Sequence, residues 1–175
     1  TKFAANTTGV GIGTTNPQAL LHVSKLNGAA EIIVTSSTQP RLMLKTTGTT
    51  AECRVDFGDS GDSSRGAIGY NHDDDALIFY TTGVANERLR IDSSGNIGQS
   101  VTPSGWASAQ AGDFYAFQIG TGMAIFGRGS GDEDRGGISC NYYNTATAQK
   151  YIGNGHAGRI YFEDGSIVFS NAAQN

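Results

Sequence analysis

The chain reads as an all-β protein, and three observations carry that reading. Apolar and polar residues alternate at period two in several short stretches, each bounded by Gly, Asn, Asp or Ser, while long helical periodicity is absent. A glycine-rich phrase, GVGIGTTNPQALLHV at 9–23, comes back in shortened form as SGNIG at 94–98. A phrase that recurs along a chain with 25 glycines points to a repeating, elongated assembly.

From the N-terminus, Gly9, Gly11 and Gly13 alternate with Val10 and Ile12, so one side of a strand carries apolar side chains and the other only hydrogens. Such a bare face lets another backbone come close, and it suits chains packed against each other about an axis. Asn16-Pro17 can cap and open a single helical turn, because Asn accepts from orphan amides and Pro loses nothing at the first helical position. Leu21 and Val23 then flank His22 in a further strand, which makes residues 1–30 a shaft-like segment.

Further strands are expected around Leu42/Leu44, Cys53/Val55/Phe57, Leu89/Ile91, Tyr115/Phe117/Ile119, Ile138/Cys140/Tyr142 and Ile167/Phe169. Stretches 76–80 and 160–162 are apolar on both faces, as expected of strands packed within a module on one side and against a neighbouring chain on the other. Residues 99–112, with Pro103 and the single Trp, Trp106, read as a linker in which Trp106 packs at a module end or plugs the axis. Cys53 and Cys140, lying in alternating stretches, are expected to be buried free thiols.

The chain also contains a duplication. FGDSGDSSRGAIGYN at 57–71 aligns with FGRGSGDEDRGGISCN at 126–141 once one residue is inserted, matching Phe, Gly, Arg-Gly, Ile and Asn. This gives two related β-modules, 31–98 and 113–175, the second possessing the same order of strand, polar loop, Arg-Gly, strand and open to truncation at its end. Arg65 and Arg135 occupy matched positions after the acidic loops. Their expected role is to pair with a loop carboxylate, in the same chain or the next, and fix the loop's path.

Composition narrows the function. Hydrophobic residues make up 38 % of the chain, little core per residue, which suggests stability shared between chains. A formal charge of −4 argues against a nucleic-acid partner, and no apolar run approaches the ~20 residues of a membrane span. A chain that opens on Thr1 rather than Met reads as a piece of a longer protein.

The phrase at 9–23 resembles the GNVGIGTxxPxxxLHV phrase of phage tail fibres, and GVANERLRIDSSGNIG at 83–98 resembles the ERLRIxSxGNVGIG phrase that precedes it there. The second copy departs from the pattern, reading Gln99-Ser100 where the family phrase continues Ile-Gly. The resemblance implies an elongated homotrimeric fibre of β-modules joined by thin intertwined segments of triple-β-helix type, located on a virion. Its partners would be two further copies of itself, other virion tail proteins and a host surface glycan. A tailspike-type polysaccharide depolymerase and a cellular surface adhesin are the alternatives.

No catalytic signature stands out. GNGHAG at 153–158 fits a phosphate-loop spacing, but Arg159-Ile160-Tyr161-Phe162 continues as a strand where phosphate binding needs a helix N-terminus, so a hairpin turn is expected. His22, His72 and His156 lack metal-ligand spacing. Asp59, Asp62, 73–75 and 132–134 are acidic groups suited to solvated loops, with carboxylate-pair catalysis and cation binding as competing uses. Neither a metal nor a cofactor is expected. Sugar recognition needs rings to stack on and planar polar groups to bond. Tyr70, Asn71, His72 and Asp73 form one such patch and Asn141, Tyr142, Tyr143 and Asn144 its duplicate, although the same residues suit ordinary hairpin turns.

Overall fold

A computed structural model describes residues 3–106, 114–129, 135–145 and 148–172. Among these residues all regular structure is β, as expected, and the chain divides into two compact units, Thr1–Met43 and Leu44–Asn175.

In the first unit β1 (Phe3–Ala5) pairs antiparallel with β2 (Val10–Ile12), and β3 (Leu21–Val23) returns to lie parallel beside β2. The bare glycine face is required here, but by the chain's own return path. A Cβ at Gly9 would stand 2.4 Å from the Ala19 carbonyl oxygen, and one at Gly11 would stand 2.4 Å from that of Thr14. At Gly13, where φ is +82°, it would meet the Ser24 carbonyl. The backbone that lies against these glycines is thus the chain's own. The expected helical turn at Asn16-Pro17 is also absent, since residues 13–20 form bends. Their amides find other acceptors: Asn16 N–H donates to Thr14 Oγ1, and Gln18 N–H donates to His22 Nδ1 at 3.4 Å. No strand forms at Leu42/Leu44 either. Alternation yields a strand only where a ladder partner exists, and this stretch has none.

The second unit is built on a ten-stranded sheet. Its strands are β4 (Glu52–Phe57), β5 (Gly66–Asn71), β6 (Ala76–Thr81), β7 (Glu87–Ile91), β8 (Ile97–Gln99), β9 (Phe114–Ile119), β10 (Met123–Arg128) and β11 (Gly136–Cys140). After a small separate hairpin, β12 (Tyr143–Asn144) with β13 (Gln149–Lys150), β14 (Ala157–Glu163) and β15 (Ser166–Ala172) complete it. Spatial order follows chain order throughout, with β14 taking the place beside β11. All pairs of this sheet are antiparallel except β8–β9, which joins β4 to β8 with the strands from β9 onward in one continuous sheet.

The repeated phrase returns as structure. β7–β8–β9 copies β1–β2–β3: an antiparallel pair followed by a parallel return, with Ile97 opposite Phe117 as Val10 is opposite Leu21. A Cβ on Gly98 would stand 2.1 Å from the Val101 carbonyl oxygen, three residues on, as Gly11 faces Thr14. Ser100 takes the positive φ, +55°, that Gly13 takes in the first copy. Gln118 replaces His22 and accepts from Ser104 N–H at 2.9 Å, the residue after Pro103, as His22 accepts from Gln18 after Pro17. The departure at Gln99-Ser100 thus leaves the backbone path intact.

The core lies on one face of this sheet. Trp106, 2 % exposed, stacks on Phe126 at 5.4 Å between ring centroids and meets the edges of Tyr142 and Tyr143. It therefore packs in a module core, while linker residues 107–112 lie outside the described residues. Nearer β4, Ala67, Ala76 and Ile78 are buried on the same side. Duplication preserves the hairpins but changes one face. Phe57 pairs with Gly66 and is 56 % exposed, whereas Phe126 pairs with Gly137 and is buried, because a one-residue offset turns a strand side chain over.

The thiols differ from expectation. Cys140 is exposed and Cys53 half-buried, and both are free. In β11 it is Ser139 that points into the core, 2 % exposed, while Ile138 and Cys140 point out. Tyr142 lies past the end of this strand, so it escapes the alternation and is buried.

Candidate functional site

Tyr70 to Asp73 sit where β5 turns into β6. Asn71 Oδ1 accepts from the Asp73 and Asp74 amides at 2.8 and 3.4 Å, and Asp75 closes the turn at φ +50°. Tyr70 O–H donates to Asp75 Oδ1 at 3.2 Å, and its ring meets that of His72 edge-on. Desolvation, then the Asp75 bond, holds this phenol above its ordinary value. His72 and Asp73 remain at the surface of the turn, and Asn71 is committed to building it.

The matching residues are placed differently. Asn141, 7 % exposed at φ +53°, donates from Nδ2 to the His156 carbonyl and accepts the Gly153 amide on Oδ1 at 2.7 Å. It thus ties residues 153–156 to the end of β11, and the GNGHAG stretch runs straight into β14. Tyr142 lies in the core, 6 % exposed. Its hydroxyl donates to Asn144 Oδ1 and accepts from Arg159 Nη1. Burial raises the Tyr142 phenol and the nearby guanidinium opposes that rise. Tyr143 and Asn144 are half-buried on β12.

Arg159, Tyr161, Glu163 and Gln149, which the sequence alone did not mark as a site, surround this second patch together with Arg135. The Arg159 guanidinium lies 3.9 Å over the Tyr161 ring and 4.7 Å from the Tyr142 ring centre, and Nε donates to Ser170 Oγ at 3.1 Å. Arg135 pairs with Glu163 at 2.8 Å. A hollow of about 140 Å³ lined by Asn144, Gln149, Arg159, Tyr161 and Glu163 adjoins them. Its signal was present in the sequence: Arg159, Tyr161 and Glu163 alternate and so share one strand face.

Arg65 pairs with Asp59 of the preceding acidic loop at 3.3 Å, both largely exposed, and Asp59 Oδ1 itself accepts the Gly61 and Asp62 amides. The second acidic cluster, 132–134, lies outside the described residues. Elsewhere Arg90, 8 % exposed, grips Glu87 through two bonds of 2.9 and 3.0 Å and Asp74 through one of 2.9 Å. These carboxylates, Glu87 first, raise its affinity for its proton further. Tyr80 donates to Glu52 at 2.8 Å, and burial, followed by that bond, pushes the phenol up to about 12. Among the described residues no group of three or more His, Cys, Asp or Glu is gathered closely enough to hold a metal ion.

The sheet's two faces differ in kind. On the covered face run Arg54, Gly69, Ile78, Arg90, Gly98, Gln118, Ala124, Ser139, Arg159 and Ser170, each opposite the next across the ladder. On the other, the residues opposite one another are Cys53, Tyr70, Leu77, Ile91, Ile97, Phe117, Ile125, Ile138, Ile160 and Phe169, an apolar row crossing all ten strands. No family model matches the chain, and no curated protein matches it.

Proposed function

We propose that the chain is a non-enzymatic structural segment of a bacteriophage tail fibre, a homotrimer that projects from the virion and supports host attachment. The observation that carries this reading is the order of the ten strands, in which sequence position advances steadily along a single direction. At ~4.8 Å per strand such a sheet adds length with each hairpin, which is what a fibre needs. The twice-used motif of antiparallel pair and parallel return, at 3–23 and 87–119, supports the same reading, because it gives structure to the phrases that resemble those of tail fibres. Catalysis has no part in this role. The segment positions surface turns away from the particle, and weak contacts made by three chains and several fibres add by avidity. The turn carrying His72 and Asp73 is the natural glycan contact, since it lies at strand ends and outside the core.

Light scattering of the purified segment, with an unheated detergent gel alongside, tests the proposal. The expected result is three times the 18.3 kDa chain mass, persisting in the gel. A folded monomer at micromolar concentration refutes it.

A further inference from the structure

The apolar row does not stand alone. A second row beside it contains Val55, Ile68, Phe79, Leu89, Gln99, Ile119, Met123 and Cys140, again opposite one another across the ladder. Neither row contains a charged residue. Yet Ile125 is 49 % exposed, Ile138 and Ile160 each 46 %, and Phe169 75 %. The opposite face carries Arg54, Arg90, Gln118 and Arg159 beside the buried Ile78, Ala124 and Phe126, and it is the one covered by Trp106, Tyr142 and the chain's own ion pairs. Polar groups are enclosed there with the core while the aliphatic surface of the other face is left open.

The first row crosses ten strands and the second eight; at ~4.8 Å between strands and ~6.8 Å of strand length per row, they give an apolar face of roughly 590 Å². That lies at the top of the ~300–600 Å² of the largest apolar patch on a typical monomer. Counted on two partners it comes to about 1,200 Å², the lower end of a stable association. The face offers no charge with which to select a charged partner, so the surface that complements it is another uncharged aliphatic sheet. The chain itself supplies one.

We infer that this face is the surface through which copies of the chain assemble, three faces turned toward a common axis. The number three rests on the fibre reading above; the choice of face does not. A hollow of about 340 Å³ lined by Met123, Ile138, Cys140, Gly158 and Ile160 gives the neighbouring copies a place to seat a side chain. Strand ends and their turns, including 71–75, stay outside the contact and remain available to a receptor. The division of labour is between sheet face and turns.

Ile125 is the best probe, since it lies opposite both Phe117 and Ile138 near the middle of the row. Ile125→Asp places a carboxylate in the contact and is expected to weaken association at least a hundredfold, giving a folded chain of monomer mass. Ser170→Asp, on the opposite face of the same sheet, retains the wild-type mass. A thiol measurement on the unmodified protein does not depend on either variant folding. Cys140 is exposed in the single chain, so in the assembled protein it should react with a thiol reagent at least tenfold more slowly than in the dissociated I125D variant or the unfolded chain. A trimer that survives Ile125→Asp and whose Cys140 reacts at the rate of an open thiol overturns the choice of face and leaves the fibre reading standing. A dimer dissociated by Ile125→Asp upholds the face and overturns the threefold fibre. A wild-type monomer overturns both.

Discussion

Gln118 is the side chain on which the parallel return of β8 and β9 depends. It is 0 % exposed, and its Oε1 accepts from Ser104 N–H at 2.9 Å and Trp106 Nε1–H at 3.3 Å while Nε2 donates to the Gly120 carbonyl at 3.1 Å. Gln118→Leu keeps the volume and leaves two donors and one acceptor without that partner. At ~1–3 kcal/mol for each polar group stranded in the interior, less some relaxation of the loop, the loss should be about 3 kcal/mol. Urea unfolding at fixed protein concentration, followed by the fluorescence of the single Trp, reads this directly. With a slope of ~2 kcal/mol per molar urea, the midpoint should fall by about 1.5 M. A companion variant, Gln118→Glu, retains the acceptor, and its carboxyl has a donor only while protonated. Its carboxyl, buried, would have a folded pKa above the unfolded value, so the variant should be closest to wild type near pH 4 and lose stability as pH rises. His22→Leu, at the equivalent but more exposed place in the first motif, removes one bond of 3.4 Å and should cost under about 1 kcal/mol. A Gln118→Leu loss below about 1 kcal/mol would refute the claim that this side chain anchors the return.

Two other expectations can be checked on the same instruments. Gly98→Ala drives a Cβ to 2.1 Å from the Val101 carbonyl oxygen and to 2.9 Å from the Pro103 ring, and should cost about 1–3 kcal/mol by urea unfolding, whereas Gly127→Ala, with nothing within 4 Å, should cost less. The Tyr80 phenol is raised to about 12 by burial and then Glu52, so its contribution is complete below pH 10 and disappears as pH climbs toward 12. Discounted for partial exposure, that contribution is about 1 kcal/mol, and Tyr80→Phe should remove this part of the alkaline loss in a pH series of unfolding curves.

Much of the fold was legible because it is local. Alternation at Cys53/Val55/Phe57, Leu89/Ile91, Tyr115/Phe117/Ile119 and Ile167/Phe169 became strands, and Gly/Asp/Ser clusters became the turns between them. Leu42/Leu44 has the same alternation and forms no strand, because the period of a sequence says nothing about whether a partner lies alongside. The candidate sugar contacts show the same limit. Asn71 and Asn141 occupy matched positions in the duplicated stretch, yet one shapes a surface turn and the other is enclosed by residues 153–156, far along the chain. Arg159, Tyr161 and Glu163 gave a readable face, but only the fold shows that Tyr142, Asn144 and Gln149 come to meet it.

By itself the sequence determined the class of structure, the hairpins of the duplicated modules and the recurrence of the glycine phrase, since each follows from side-chain period, turn chemistry and the space a missing Cβ leaves. Tertiary structure decided which faces are covered. Alternation assigns Ile138 and Cys140 to one side and Ser139 to the other, but it cannot say which side the Trp106 loop will cover. That choice rests on bonds between distant residues, Gln118 to Trp106 and Asn96 to Ala116, and it is the choice that leaves an aliphatic sheet face open.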